Sequence, residues 1–270
     1  MINDVLQRNN VNISGKGKQT MMFAHGFGCD QNMWKEVARE FENDYQVVLF
    51  DFVGAGKSDI KAYDSLKYNS LLGYAQDVIE ICEALQVEDV IFVGHSVGSM
   101  IGILASIKEP KRFSRMVLVG PSPCYLDDEP YKGGFTREDL LGILEMMDKN
   151  YIGWAHFFAP IVMENNEQPH LTNRLEESFC TTDPIVARQF AEVTFFSDHR
   201  KSLVEVSVPS LILHCKEDKI APLDVAHYMC DNLYKTKLQV IDGAGHCPHL
   251  SHPKETTAFI QQYLATAQEN

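Results

Sequence analysis

The pentapeptide Gly94-His95-Ser96-Val97-Gly98 stands between two apolar runs, Val90-Ile91-Phe92-Val93 and Met100-Ile101-Gly102-Ile103-Leu104. This layout predicts a strand that turns sharply into a helix with Ser96 at the apex. Such a turn needs a backbone conformation that is costly for most residues, and the cost is tolerated where a side chain must rise above a sheet edge. Glycines at 94 and 98 keep side chains out of the space where the helix folds back on the strand. The start of the helix leaves the Val97 amide without an intrahelical acceptor, so it can face an oxyanion formed at Ser96. A tight strand–helix turn with an incidental serine is the competing reading, and the strand and helix context favours a nucleophile.

A serine hydroxyl needs a base, and the base needs an acid to hold it. Leu211-Ile212-Leu213-His214-Cys215 reads as a buried strand with Glu217-Asp218 at its C-terminal end. Leu238-Gln239-Val240-Ile241 reads as another, leading into Asp242-Gly243-Ala244-Gly245-His246. Ser96, Asp218 and His246 thus follow the serine–acid–histidine order of α/β-hydrolases. Glu217 and Asp242 are rivals for the acid. Asp218 is preferred because a separate strand-end loop can reach the back of the imidazole. His249 and His252 follow His246 at spacings of three, but no Asp or Glu completes a ligand set, so no metal site is expected.

A second oxyanion donor is expected from an earlier strand end. Thr20-Met21-Met22-Phe23-Ala24 is β-like and runs into His25-Gly26-Phe27-Gly28, whose glycines let the Phe27 amide face the same point as that of Val97. Gly54-Ala55-Gly56-Lys57-Ser58 resembles the end of a phosphate-binding loop. That motif requires a glycine five residues before Gly56, where Asp51 stands. The segment is read as a rim turn, and no nucleotide or other cofactor is expected.

The apolar runs are continuous, as in a mostly parallel sheet covered by helices on both faces. Asn69–Gln86 is the clearest helix, with Leu71, Ala75, Val78, Cys82 and Leu85 on one face. The alternation stops over residues 122–206, which read as four helices: Glu138–Tyr151, Trp154–Val162, Leu171–Cys180 and Pro184–Phe196. This interval is expected to be a helical lid inserted into a core made of residues 1–121 and 207–270. Its many aromatics suit a small apolar ligand. A formal charge of −13 with no basic stripe argues against nucleic acid as a partner. Seven scattered cysteines without a C-x-x-C pair, several of them in apolar stretches, read as small buried hydrophobes in a reduced compartment. There is no apolar signal core near Met1 and no run of membrane-spanning length, so a cytoplasmic protein with no membrane partner is expected.

Taken together the motifs resemble an α/β-hydrolase throughout, and more narrowly the RsbQ-like subgroup, bacterial stress-response hydrolases related to the karrikin and strigolactone receptor hydrolases of plants. The resemblance is carried by Phe27–Gln31, Gly94–Gly98, Val119–Leu126, Gly133–Phe135, Asn150–Trp154, Thr182–Pro184, Phe195–Arg200 and Gly245–His249. It reaches into the lid, which varies widely elsewhere in the family. It implies Phe27, Phe135, Trp154, Phe158, Phe195 and Phe196 as pocket-lining residues. It also implies a signalling hydrolase acting on a small hydrophobic ester or lactone, with a PAS-domain serine phosphatase as partner in a general energy-stress response. The alternatives are a slow or non-turnover small-molecule receptor and a generic small carboxylesterase. A haloalkane dehalogenase or epoxide hydrolase is disfavoured, since those resemble the fold but carry aspartate where Ser96 stands.

Overall fold

The computed structural model describes residues 2–266. Seven strands form one sheet: β1 (Asn12–Gly15), β2 (Thr20–Ala24), β3 (Gln46–Leu49), β4 (Val90–His95), β5 (Phe113–Val119), β6 (Ser210–Glu217) and β7 (Thr236–Ala244). Their order is β1-β3-β2-β4-β5-β6-β7, and every pairing is parallel except that of β1 with β3. The exposed β1 closes one edge. Every residue of β2 and β4 is buried, which is why these strands read as unbroken apolar runs rather than as alternation.

The helices are α1 (Ile2–Arg8), α2 (Lys35–Ala38), α3 (Leu71–Leu85), α4 (Val97–Lys108), α5 (Arg137–Lys149), α6 (Tyr151–Met163), α7 (Pro169–Thr181), α8 (Pro184–Phe195), α9 (Leu223–Asn232), α10 (Pro248–Ser251) and α11 (Pro253–Thr266). Successive strand residues point to opposite faces, so the sheet serves two cores. Met22, Phe92, Leu118 and Ile212 pack with Val78, Ile101 and Met229 on one side. Met21, Phe23, Val93 and Val119 pack with Trp34, Phe41 and Ile260 on the other.

The chain leaves the sheet after Val119 and returns at Ser210; between them stand α5 to α8. The helix starts follow capping chemistry. Thr136 and Asp139 form a capping box at α5, Asn150 caps α6 through the Gly153 amide, and Asp183 accepts from the Ile185 and Val186 amides at α8. These helices share a core of their own around Leu144, Trp154, Phe158, Leu175, Phe179 and Phe195. They are tied to the strand ends by polar contacts: Arg174 donates to the Asn32 carbonyl at 2.6 Å, Ser178 to the Gly28 carbonyl at 2.7 Å, and the His246 amide to the Val162 carbonyl at 2.8 Å. The site is therefore closed from above by groups that touch its own loops.

Candidate active site

Ser96 follows β4 and caps α4 with φ 54° and ψ −124°, left-handed backbone that a β-carbon normally avoids. Two interactions hold it there: its amide donates to the Val119 carbonyl at 2.8 Å, and its carbonyl accepts from the Ser99 amide at 2.9 Å. The glycines are required by contact. A β-carbon at Gly94 would lie 2.7 Å from Ser99 Cα, and one at Gly98 would lie 2.4 Å from the His25 carbonyl oxygen. Helix α4 therefore runs against the β2 loop with no room for a side chain between them.

Ser96 Oγ donates to His246 Nε2 at 2.8 Å, and His246 Nδ1 donates to Asp218 Oδ2 at 2.7 Å. The other carboxylate oxygen of Asp218 accepts from the Ile220 and Ala221 amides at 2.8 and 3.0 Å. Burial pushes the Asp218 carboxyl up, but His246, His214 and the Ala221 amide outweigh it and hold the group below the ordinary carboxylate range. The ionised carboxylate fixes the tautomer that leaves Nε2 unprotonated toward Ser96. The rival acids point elsewhere. Glu217 is exposed, and Asp242 is 91 % exposed beside Lys216.

Gly26 to Cys29 form a turn closed by the Cys29 amide on the Gly26 carbonyl at 3.3 Å, with Gly28 at φ 67°. The turn does not consume the Phe27 amide. A β-carbon at Gly26 would come within 3.3 Å of Ser96 Cβ, so this turn and the head of α4 converge on one point. The segments that carry Phe27 and Val97 therefore meet next to Ser96.

Ser96 and His246 are 6 % and 4 % exposed and face a cavity of about 20 Å³, room for roughly one water. Its walls are mainly apolar, with Ser96, His246, His95, Tyr125 and Thr194 as the polar members. Of the six residues anticipated to line it, Phe27, Phe158 and Phe195 do so. Phe135, Trp154 and Phe196 do not. Trp154 is completely buried behind the wall, with ring centroids 6.0 Å from Phe27 and 5.0 Å from Phe179. Phe135 packs on the outer side of Phe195 at 6.2 Å. Phe196, one position beyond α8, turns outward under the Arg137 guanidinium. A concavity of about 830 Å³ runs between α3 and α8 and holds neither Ser96 nor His246.

Three neighbours of the site escape sequence reasoning. Tyr125, fully buried, places its hydroxyl 3.2 Å from Ser96 Oγ and donates to it, since the serine proton is engaged by His246. Its signal is only that it follows the end of β5, whose tip faces the site. His95 donates from Nε2 to the His246 carbonyl at 2.9 Å, and burial first, then neighbouring His246, lowers its pKa to about 3. Asp51 joins three segments: it accepts from the Gln31 amide, the Asn10 side chain and the Lys57 amide. That is the structural use of the glycine turn at 54–58. Among the described residues no cluster of three or more His, Cys, Asp or Glu could hold a metal ion. His249 instead stacks between Trp34 and His95 at 4.4 and 4.3 Å.

Residues 19–253 match the family model described as the alpha/beta hydrolase fold. The chain is 40 % identical over 261 residues to the Karrikin insensitive 2 receptor CA of Petunia hybrida, covering 96 % of this chain and 97 % of that one. A strigolactone esterase of Arabidopsis thaliana is 34 % identical over 262 residues, 97 % and 98 % of the two chains. Among solved structures, a hydrolase from Oleispira antarctica superposes with a TM-score of 0.95 at 44 % identity, covering 98 % and 97 %.

Proposed function

The chain belongs to the α/β-hydrolase family, and from that membership we propose that it is a serine hydrolase of small hydrophobic esters or lactones. The observation that carries this reading is the unbroken relay Asp218–His246–Ser96, held at 2.7 and 2.8 Å inside a closed apolar cavity. Ser96 Oγ attacks the carbonyl carbon while His246 Nε2 takes its proton. The Phe27 and Val97 amides receive the oxyanion, and the imidazolium is stabilised by Asp218. Collapse returns that proton to the leaving oxygen. Water then repeats the sequence on the acyl-enzyme.

The reading as a signalling hydrolase rests on the resemblance of the lid segments to the RsbQ-like subgroup and on relatives named as receptors. Within it, a PAS-domain phosphatase is the proposed partner. The cysteines are free thiols, in keeping with a reducing compartment, so the cytoplasm is the proposed site of action. Among the described residues no helix is long and apolar enough to cross a membrane. A cavity that admits little more than one water favours slow turnover, because each cycle requires the walls to part. Release of p-nitrophenol from p-nitrophenyl acetate separates the readings. Sustained release that Ser96→Ala abolishes is the hydrolase; a burst equal to the enzyme concentration, or none, is a receptor.

A further inference from the structure

We propose that Thr194 is a specificity-determining residue whose hydroxyl binds a second oxygen of the substrate, one separate from the carbonyl that Ser96 attacks. The substrate class narrows accordingly, from small apolar esters or lactones to those carrying an ether, hydroxyl or further carbonyl oxygen on the acyl side. This deepens the hydrolase reading above and rests on the same cavity.

That cavity leaves few of its polar atoms unused. Ser96, His246 and Tyr125 are hydrogen-bonded to one another. The thiols of Cys29 and Cys247 are pushed up by burial, so they stay protonated and unreactive. His95 Nδ1 has no hydrogen-bond partner, but a β-carbon at Gly26 would sit 2.5 Å from it, so that atom looks at backbone and not into the open space. Thr194 remains. It sits on the last turn of α8, lines the cavity, is 1 % exposed, and its Oγ1 has no hydrogen-bond partner.

A helical threonine normally returns its hydroxyl to a carbonyl three or four residues back, and this one makes no such bond. Burying an unpaired hydroxyl opposes folding, and a valine of the same shape would avoid that cost. Thr194 lines a space walled also by Phe27, Phe158, Phe195 and Ile220, and a substrate oxygen entering that space is a partner the fold itself does not supply. A hydroxyl can donate to an ether or carbonyl oxygen and accept from a hydroxyl, which sets the class of group recognised. A site built to satisfy a polar group discriminates against the analogue lacking it.

The experiment uses three amides of matched length that resist turnover: N-phenylpentanamide, N-phenyl-2-ethoxyacetamide and N-phenyl-3-methoxypropanamide. Calorimetric Kd values are taken for the wild type and for Thr194→Val and Thr194→Ser. Thr194→Val should weaken at least one ether by roughly 2- to 12-fold relative to the pentanamide. Thr194→Ser should restore it. The same relative affinities in wild type and Thr194→Val, or no binding of any amide to the wild type, overturns the proposal. The corresponding p-nitrophenyl esters test the hydrolase reading separately. No ester turnover with the differential binding intact removes the hydrolase and leaves the subsite. Turnover without differential binding does the reverse.

Discussion

His95 donates through Nε2 to the backbone carbonyl of His246 at 2.9 Å, so the turn that carries Ser96 is fastened directly to the loop that carries its imidazole partner. The distance from Ser96 Oγ to His246 Nε2 is then held in part by the His95 side chain. His95→Ala should lower kcat about tenfold and leave KM nearly unchanged, the pattern of a positioning residue. His95→Gln, whose amide can donate to the same carbonyl, should recover most of the loss. A loss confined to KM, or no difference between the two variants, would contradict this role.

Ser96 stores backbone strain that a glycine would not feel. At φ 54° and ψ −124° the cost for a residue with a β-carbon is on the order of 1–3 kcal/mol. Ser96→Gly should therefore abolish ester hydrolysis while raising thermal stability, by up to about 2 kcal/mol after the entropy of a glycine is subtracted. Ser96→Ala keeps the β-carbon and should abolish activity with no such gain. Melting curves of the two variants decide it: equal Tm values would mean the turn is not strained.

Asp218 is expected to matter for rate more than for binding. Asp218→Asn should cut turnover roughly 10⁴-fold, by analogy with the serine proteases, because an amide holds the wrong imidazole tautomer. Glu217→Gln and Asp242→Asn, both at exposed positions, should leave it unchanged. Steady-state rates on p-nitrophenyl acetate are the measurement, and a severe defect in either of the last two would move the acid.

The wall residues should set the length of acyl group accepted. With about 20 Å³ of free space, acetyl to butyryl esters should be preferred over octanoyl. Phe27 lines both this cavity and a second apolar space walled by Val53, Val186 and Phe190, so Phe27→Ala should open one toward the other and shift the optimum to longer chains. A wild type that prefers octanoyl esters would mean an open groove instead.

What could be read from the sequence was local. A serine between glycines after a strand, and an acid and a histidine each just past a strand end, place three side chains because parallel strands all end on one edge. Gly94 and Gly98 carry that information through backbone contacts that allow no alternative. The stretch from 122 to 206 was legible as helices because strand-like runs vanish there. Which aromatics face the cavity was not. Trp154 and Phe158 share one side of α6 and stack at 5.5 Å, yet only Phe158 reaches the open space. The depth of a side chain depends on how four helices tilt against one another, which periodicity does not encode. Tyr125 lies in a loop without periodicity, and His95 reads in sequence as no more than the middle of a motif.

Four imidazoles are buried without exposure to water beyond 2 %: His25, His95, His214 and His249. Burial is the first cause in each case and lowers all four pKa values, that of His95 to about 3. An unfolded histidine titrates near 6.5, so below that pH the unfolded chain binds protons that the folded one refuses. The sign follows. Stability is fully present above about pH 6.5 and falls as pH drops toward the folded values, by about 1.4 kcal/mol per pH unit for each imidazole. Asp218, held low, adds its own loss only below about pH 4, whereas Asp77, raised by burial ahead of its pairing with Arg8 and Lys67, acts with the opposite sign in the carboxylate range. Urea unfolding between pH 7 and 5 should therefore show a steep acid limb governed by histidine. His249 is the variant to test, because both its ring nitrogens lack a hydrogen-bond partner between Trp34 and His95. His249→Phe should reduce the slope by one proton whether or not the larger ring packs well. An unchanged slope would mean that His249 is protonated in the folded state.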